Sequence, residues 1–329
     1  MIKNNMRNLS LKKFIKKKNY KKIFTPSPSF PIENLLGLSS NFSRGDIDFE
    51  KQYKKVTKSL KKISGQPNIV AIQGPASLAI EIGLLNFVRG NVLVVNTGYY
   101  SDRIFSILKM SKKNSKFLKK IKYIKYDQIR NIREKFDWVC GCYTETSKGF
   151  KANIKHLKKI ANKNSSKLFI DATASIGIEE NHNLADVVSF SSCKSLFGLT
   201  GACFVGYKIK PKNKVNSFMM DIKSHINKKM TGPNSTIQSL EFVLDNYSKF
   251  KKSVQVNKRY IMKKFKNYLI YPKENQPNIC TYINLKVKKN KNLILYQPRI
   301  KNNGSLIFHL GSGHNEKITT EINKSIKIR

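Results

Sequence analysis

The sequence predicts an α/β protein built on a mostly parallel sheet, and three observations support this fold class. Several short segments are apolar throughout, among them "NVLVVNTG" and "ADVVSFSS", as is typical of strands that are buried on both faces of a parallel sheet. Such segments alternate with segments of helical apolar spacing, which indicates repeated strand–helix units. The 329 residues and 40% hydrophobic content are sufficient for a large core.

The chain divides into three predicted parts. Residues 1–23 form a basic N-terminal tail, lysine-rich and without the apolar centre of a secretory signal. Residues 24–235 form the large domain, which begins with the proline-rich loop "FTPSPSFP". Residues 236–329 begin with a long helical stretch, "TIQSLEFVLDNYSKFKKSVQVNKRYIMKKFKNYL", and continue with short strands and a last helix. We therefore expect a smaller C-terminal α+β domain.

The elements of the large domain follow from the same patterns. The predicted strands are "NIVAIQG", "NVLVVNTG", "DWVCGCYT", "SKLFIDATAS", "ADVVSFSS" and "ACFVGYKI". The predicted helices are "PASLAIEIGLLNFV", "SDRIFSILKM" and "NIKHLKKIANK". We expect Ser101 to cap the second helix. Cys140 and Cys142 form a C-x-C within an apolar strand, which favours strand packing over a zinc site.

The charge is the unusual feature of the composition. Lys and Arg number 63 against 20 Asp and Glu, a net charge of +43. Such basicity is typical of proteins that bind nucleic acid or anionic surfaces. Here the excess is mainly lysine and is spread along the whole chain, which indicates compositional drift and predicts no specific nucleic-acid partner. No apolar run is long enough to span a bilayer, and five cysteines without a signal peptide fit reduced thiols in a cytoplasm.

Polar and glycine-containing segments follow the predicted strands, at the point where each strand ends. They are Gly74–Ser77, Thr97–Tyr100, Glu145–Gly149, Asp171 and Lys194. Ligands of open α/β sheets bind outside the carboxyl ends of the strands. This agreement in position is the first sign of a functional site.

Each of these features also has an ordinary structural explanation. Asp171 would cap the next turn. Lys194 would extend from an apolar segment into solvent, and Tyr100 would be an ordinary aromatic residue at the rim of the sheet. The turn "QGPAS" presents backbone N–H groups to a phosphate, although Pro75 cannot donate. Together they meet the needs of pyridoxal 5′-phosphate: a phosphate cradle, a stacking aromatic, a carboxylate for the ring nitrogen and a lysine for covalent attachment.

Two of these segments resemble a known family. "LFIDATASIG" and "VSFSSCKSLFGLTGACFVGY" are similar to the strand–Asp and Ser-Ser-x-Lys segments of class V pyridoxal phosphate-dependent aminotransferases, which have fold type I. Further family segments are resembled by "AIQGPASLAIE", "VVNTGYYSDR", "YTETSKG" and "MTGPNSTIQSL". The similarity therefore runs from about residue 24 to the C-terminus. Within the family, "IQGPASLAIE" and "SRGDIDF" resemble 2-aminoethylphosphonate:pyruvate transaminases, with alanine–glyoxylate and serine–pyruvate enzymes as close relatives.

The resemblance implies a role for each matching residue. Lys194 would bind the cofactor covalently and move a proton, and Asp171 would keep the ring nitrogen protonated. The other implied contacts are Tyr100 on the ring, Thr146 near the ring oxygen, and Ala76, Ser77 and Thr231 at the phosphate, with Thr231 supplied by the second subunit of a homodimer.

The chain departs from the family where the substrate would bind. "LIFHLGSG" aligns with a Phe-Arg-Ile-Gly segment whose arginine binds the substrate carboxylate through two parallel hydrogen bonds, and His309 occupies that position. Carboxylate binding would then be weaker, or would move to Arg44 or Arg299, or would be lost. Cys193 also replaces the usual Asn or Gln before the lysine.

The sequence therefore predicts an aminotransferase that moves an amino group from a small-molecule donor to a keto acid such as pyruvate. 2-Aminoethylphosphonate is one candidate donor, and an alanine- or serine–glyoxylate type of reaction is the alternative. His309 leaves open a lyase or another diverged enzyme with the same cofactor. A third hypothesis, a basic, non-enzymatic binding protein, rests on the charge alone. No metal site is expected.

Overall fold

The computed structural model describes residues 22–24, 33–36, 38–39, 45–227, 232–287, 293–296 and 304–309. Most of the predicted N-terminal tail lies outside these residues, as do Arg44, Thr231 and Arg299.

Strands and helices alternate through the first two thirds of the described chain. The strands are β1 (Lys22–Phe24), β2 (Asn68–Gln73), β3 (Gly90–Asn96), β4 (Leu118–Lys125), β5 (Trp138–Cys142), β6 (Thr144–Glu145), β7 (Phe150–Lys151), β8 (Lys167–Asp171), β9 (Val187–Ser191), β10 (Ala202–Tyr207), β11 (Cys280–Ile283), β12 (Leu293–Leu295) and β13 (Ser305–Phe308). The α-helices are α1 (Glu33–Leu36), α2 (Ile47–Ser64), α3 (Ala76–Phe87), α4 (Tyr99–Asn114), α5 (Ile154–Lys163), α6 (Ile222–Ile226), α7 (Asn234–Asp245) and α8 (Tyr247–Lys264).

The main sheet has seven strands in the order β2-β10-β9-β8-β5-β3-β4. Strands β9, β8, β5, β3 and β4 pair in parallel, whereas β10 is antiparallel to both of its neighbours. Strand β2 therefore has the same direction as the parallel strands. The prediction of a mostly parallel α/β sheet is confirmed, with the last predicted strand of the large domain as the antiparallel exception.

Helices cover both faces of this sheet. One apolar cluster joins strand residues such as Leu168 and Phe204 to helices α2, α5 and α7. The other joins residues such as Phe169 and Val205 to helices α3, α4 and α6. Because successive strand residues point to opposite faces, strands buried on both sides must be apolar throughout, which explains their sequence pattern. Cys140 and Cys142 are both buried in β5, so their predicted packing role is confirmed.

Three local predictions need correction. Strand β4, "LKKIKYIK", was not predicted because its exposed lysines interrupt the apolar run. The long C-terminal helical stretch is two helices, α7 and α8, which meet at Asn246. Ser101 is not the N-cap of α4: the helix starts after Gly98, and the Ser101 hydroxyl accepts from the Thr97 and Gly98 N–H groups at 2.8 and 2.9 Å.

The C-terminal part packs against the segments that follow β8 and β9. Strands β11 and β13 form an antiparallel pair. An apolar cluster joins Phe308 and Cys280 of this pair to Ala174 and Phe197 of the large domain. The predicted boundary near residue 235 remains a prediction, but the contact brings β11 and β13 to the carboxyl edge of the main sheet.

We predict that Phe169→Ala lowers the free energy of unfolding by about 3–5 kcal/mol, because the ring is fully buried next to Gly83 of α3 and truncation leaves a cavity. Urea unfolding of purified protein measures this change. Met110, 58% exposed on α4, provides the control, since Met110→Ala should change stability by no more than about 0.5 kcal/mol. Equal effects of the two substitutions would contradict the proposed packing.

Candidate active site

Asp171 lies at the carboxyl end of β8, between two neighbours fixed by the strand register. It pairs with Cys142 of β5 and with Ser189 of β9. Paired residues of adjacent strands project to the same face of a sheet, so all three side chains share the face covered by α3 and α4. All three are buried. Burial, followed by the negative charges of Asp171 and Glu145, raises the pKa of the Cys142 thiol well above its usual range.

The Asp171 carboxylate is held through one of its oxygens. Its Oδ1 accepts from the Thr173 N–H at 2.9 Å and from the Thr173 hydroxyl at 2.6 Å. The described residues provide no hydrogen bond to Oδ2. Asp171 thus caps the next turn, as its ordinary explanation requires, and still keeps one oxygen for a second partner.

Lys194 begins a short 3₁₀ turn, Lys194–Leu196, after β9. Its backbone has φ = 55°, a left-handed conformation that is uncommon for a residue other than glycine. The adjacent Ser195 hydroxyl donates to the Thr173 carbonyl at 3.2 Å. Thr173 therefore connects the Lys194 turn to the Asp171 carboxylate. Outliers of this kind cluster at functional sites.

Tyr100, for which the resemblance implies stacking on the cofactor ring, lies next to Lys194. The Lys194 Nζ atom is 4.8 Å from the centroid of the Tyr100 ring, within the range of a cation–π contact. Tyr100 belongs to the first turn of α4, which follows β3. The carboxyl ends of three strands thus bring together Asp171, Lys194 and Tyr100.

Glu145 links the Tyr100 turn to the loop after β6. Its Oε2 accepts from the Tyr100 N–H at 2.9 Å and the Ser101 N–H at 3.4 Å, at the positive end of α4. Its Oε1 accepts from the Ser147 N–H at 3.2 Å and from the Ser147 hydroxyl. Gly98, at φ = 143°, makes room, because a Cβ there would lie 2.8 Å from the Glu145 Cγ. Sequence reasoning placed Glu145 at a strand end but gave it no role.

Four buried hydroxyls in and around these strand ends have no hydrogen-bond partner among the described residues. They belong to Thr97, Thr144, Thr146 and Ser189. A buried polar group without a partner costs roughly 1–3 kcal/mol, so such groups indicate a ligand or water site. Thr146 was predicted as a site residue, whereas Thr144 and Ser189 were missed because a hydroxyl residue within an apolar strand gives no sequence signal.

The predicted phosphate residues lie at the N-terminus of α3. Helix α3 starts at Ala76, and its N-cap, Pro75, makes no side-chain cap. The N–H groups of a first helical turn lack intrahelical acceptors, so those of Ala76 and Ser77 are available to an anion. Gly74 precedes them at φ = 149° and donates to the Gly201 carbonyl at 2.9 Å. The turn therefore keeps the donors that a phosphate needs.

His309 lies at the end of β13, with 2% of its surface exposed. Its ring Nε2 is 2.8 Å from the Thr281 hydroxyl, and its backbone N–H donates to the Ile279 carbonyl at 2.7 Å. Neighbouring Cys280 has a pKa raised to about 12, first by burial, with the charges of Lys258, Lys194 and Glu145 among the smaller influences. Cys280 also packs in one apolar cluster with Ala174 and Phe197, which follow β8 and β9.

The described residues contain no cluster of three or more His, Cys, Asp or Glu suited to a metal. No helix within the described ranges is long and apolar enough to cross a membrane. A shallow basic depression is lined by Lys155, Lys158, Lys159, Asn162, Lys163, Asn181 and Leu184. It lies towards the amino ends of β8 and β9, at the sheet edge opposite the candidate site.

Solved structures share this fold over almost their whole length. An alanine–glyoxylate aminotransferase from Nostoc sp. is 14% identical with a TM-score of 0.78, covering 93% of this chain and 94% of the other. A pyridoxamine–pyruvate aminotransferase from Mesorhizobium loti is 16% identical with a TM-score of 0.76, covering 93% and 92%. A phosphoserine aminotransferase from Cytophaga hutchinsonii is 15% identical with a TM-score of 0.75, covering 93% and 98%.

The likeness confirms the predicted fold type I architecture. No protein-family model and no curated protein sequence matches the chain. At 14–16% identity the likeness establishes a common fold, and the activity has to be argued from the site.

We predict that Glu145→Gln lowers the free energy of unfolding at pH 7 by about 1–3 kcal/mol, because the new amide group would face N–H donors instead of accepting from them. Urea unfolding measures the loss. Glu180→Gln is the matched control, since Glu180 is exposed. A loss no larger than that of the control would show that Glu145 does not hold the two loops together.

The Glu145 carboxyl also predicts a dependence on pH. Burial raises its pKa above the usual value of 4.5, so the unfolded chain releases this proton at a lower pH than the folded chain. Between the two pKa values the folded state binds more protons, and the free energy of unfolding falls as pH rises. The stability difference between wild type and Glu145→Gln should therefore decrease from about pH 4.5 upwards and then become constant. A difference that increases with pH over this range would contradict the raised pKa.

Proposed function

We propose that this chain is a pyridoxal 5′-phosphate-dependent aminotransferase, which moves an amino group from a small amine donor to a keto acid. The observation that carries the proposal is the grouping of Lys194 and Tyr100 with Asp171, which is joined to the Lys194 turn through Thr173. The common fold with three aminotransferases supports the same class.

The residues at the strand ends fit this cofactor chemically. The N–H groups of Ala76 and Ser77 suit its phosphate, and Tyr100 offers a ring for stacking. Asp171 keeps one oxygen for the ring nitrogen, and the Thr146 hydroxyl lacks a partner among the described residues. The bound cofactor would withdraw electrons from the carbon that carries the substrate amino group.

Each side chain has a separate task in the proposed reaction. The Lys194 amine provides the covalent attachment point and, once released by the amino donor, the base that takes and returns a proton. The negative charge of Asp171 favours a protonated ring nitrogen. Tyr100 limits the movement of the ring and excludes water from one side. Glu145 keeps Tyr100 in place by accepting from its N–H.

The finer parts of the proposal rest on the sequence. We infer a homodimer in which Thr231 of one subunit completes the phosphate site of the other, a domain boundary near residue 235, and a cytoplasmic enzyme. The donor is 2-aminoethylphosphonate or, as the alternative, alanine or serine with glyoxylate as acceptor. An enzyme with this cofactor but another reaction is the second candidate, favoured by His309, which stands where the resembled family has its carboxylate-binding arginine.

We predict that protein purified with pyridoxal 5′-phosphate has a visible absorbance band that survives gel filtration, and that borohydride attaches the cofactor permanently to Lys194. Absorbance spectra and peptide mass spectrometry measure the two properties. Lys194→Ala should abolish both, whereas Lys119→Ala, a substitution of an exposed lysine on β4, should change neither. An unmodified Lys194 after reduction would contradict the assignment.

The same sample distinguishes the donors. 2-Aminoethylphosphonate, alanine and serine are added separately, and the donor of the proposed reaction should remove the visible band and yield pyridoxamine phosphate. A band that no donor removes would favour the second candidate. Absence of any band, together with salt-dependent binding to nucleic acid, would favour the basic binding protein.

A further inference from the structure

Four lysines of helix α5 line the basic depression described above, together with Asn162, Asn181 and Leu184. We call them the lysine stripe: Lys155, Lys158, Lys159 and Lys163. Residues three and four apart lie on the same side of a helix, so the stripe occupies one side of α5, opposite the apolar residues that the helix buries. It extends for about 12 Å along the helix axis. The stripe is therefore a compact row of cations and not a scatter of surface lysines.

The position of the stripe does not follow from the stability of its helix. Like charges three or four residues apart on a helix repel each other. The positive end of a helix favours anions, yet the first turn of α5 has no acidic residue and Lys155 adds a cation there. Lys163 lies in the last turn, where a cation is favourable. Helix electrostatics therefore account for Lys163 and oppose Lys155.

Asp186 is the carboxylate that pairs with the stripe. Its Oδ2 lies 3.1 Å from the Lys158 Nζ and accepts from the Leu168 N–H at 2.9 Å. Its Oδ1 lies 4.0 Å from the Nζ of Lys167, which precedes the stripe's neighbouring strand residues in β8. The other three lysines of the stripe form no ion pair with a described residue. Since the Leu168 N–H fixes Asp186 to β8, three ammonium groups of the stripe remain without an anion.

This positive charge acts on two titratable neighbours. The pKa of His156 is lowered first by burial and then by the charges of Arg130 and Lys159. The pKa of Lys208 is also lowered first by burial, and Lys158 lowers it further against the opposing charge of Asp186. Both groups thus resist a further positive charge beside the stripe. An anion bound there would relieve this repulsion.

We propose that the lysine stripe binds a linear polyphosphate, either inorganic or the phosphate chain of a nucleotide. Three unpaired ammonium groups along about 12 Å of helix match a row of linked anions better than one compact anion. An ammonium binds phosphate as a point charge, and Asn162 and Asn181 add neutral donors at the rim. The described lining of the depression contains no aromatic side chain, so it offers no platform for stacking a base.

The proposed site is independent of the proposed function. None of the candidate active-site residues lines the depression, which lies at the opposite edge of the sheet. Removal of the stripe should therefore leave the visible band of the cofactor-loaded protein unchanged. Failure of the proposed function would appear as wild-type protein without such a band, and polyphosphate binding would be measured in the same way on that protein.

The first test compares two sets of three lysines with equal charge. The stripe variant, Lys155→Gln with Lys159→Gln and Lys163→Gln, should raise the dissociation constant of tripolyphosphate about tenfold or more in calorimetry at about 0.15 M salt. The control variant changes three exposed lysines of α4 with similar spacing: Lys109→Gln, Lys112→Gln and Lys113→Gln. It should stay within about twofold of wild type. Equal losses in the two variants would overturn the proposal, because binding would then depend only on the net charge of +43.

The class of ligand is tested with four other anions. Orthophosphate and citrate should bind about tenfold more weakly than tripolyphosphate, because neither presents its charges along a line. ATP should bind within about threefold of tripolyphosphate, since no base is stacked. Citrate that binds as tightly as tripolyphosphate would overturn the proposal. A short single-stranded oligonucleotide that binds more tightly than tripolyphosphate, and only when the stripe is intact, would overturn it in favour of nucleic acid.

The stability of the stripe variant separates a binding role from a structural one. Gln and Lys have similar helix propensities, and removal of like charges relieves repulsion. Without polyphosphate, the urea midpoint of the stripe variant should therefore equal or exceed that of wild type. Tripolyphosphate should raise the midpoint of wild type and not that of the variant. A midpoint below that of the control variant would show that the stripe stabilises the fold, and would overturn the proposal.

A second measurement uses the unaltered chain. Amine acetylation followed by peptide mass spectrometry reports how fast each lysine reacts. Tripolyphosphate should slow the acetylation of Lys155, Lys159 and Lys163 severalfold and leave Lys109 and Lys112 unchanged. Equal protection of both groups of lysines, or protection of neither, would overturn the proposal.

Discussion

The parallel register of β5, β8 and β9 is the constraint on which the candidate site depends. It pairs Asp171 with Cys142 on one side and with Ser189 on the other, so three polar side chains face the helices whose N-termini carry Ala76 and Tyr100. Slipping β8 by one residue would turn Asp171 to the opposite face and bring Ala172 into its place. The apolar pattern of β8 prevents this, because each of its inner residues is packed in one of the two cores.

Several features of the site are unfavourable for an isolated segment and are maintained by the folded protein. Lys194 has a left-handed backbone, Glu145 is a buried carboxylate, and four hydroxyls lack partners among the described residues. Each feature costs roughly 1–3 kcal/mol, and the large apolar core around the sheet offsets that cost. A site assembled in this way is ready to bind a polar ligand, because binding removes the unpaired groups and requires little rearrangement.

The sequence was informative where a single physical rule decides the structure. Uniformly apolar strands and their carboxyl-end residues were predicted correctly, since burial on both faces leaves few other choices of residue type. Strand β4 was missed because an edge strand tolerates lysine on its exposed side. The break at Asn246 was missed because no glycine or proline marks it. Glu145 was placed at a strand end without a role, because most of its partners are backbone N–H groups, which any sequence would provide.

Lysine content also explains why the sequence gave no sign of Lys258 in α8, the one buried lysine among the described residues. In a chain with a net charge of +43, most lysines are solvated, and each exerts little effect on its neighbours beyond the screening distance of salt. What distinguishes a lysine is the loss of that solvation, which depends on the packing of α8 against β11 and cannot be read from composition. A buried lysine without an adjacent carboxylate donates its hydrogens to neutral acceptors, which for Lys258 are the Cys280 carbonyl, the Thr281 hydroxyl and the Gln276 Oε1. Burial therefore fixes the direction of each of these hydrogen bonds, whereas the composition shows only that a lysine is present.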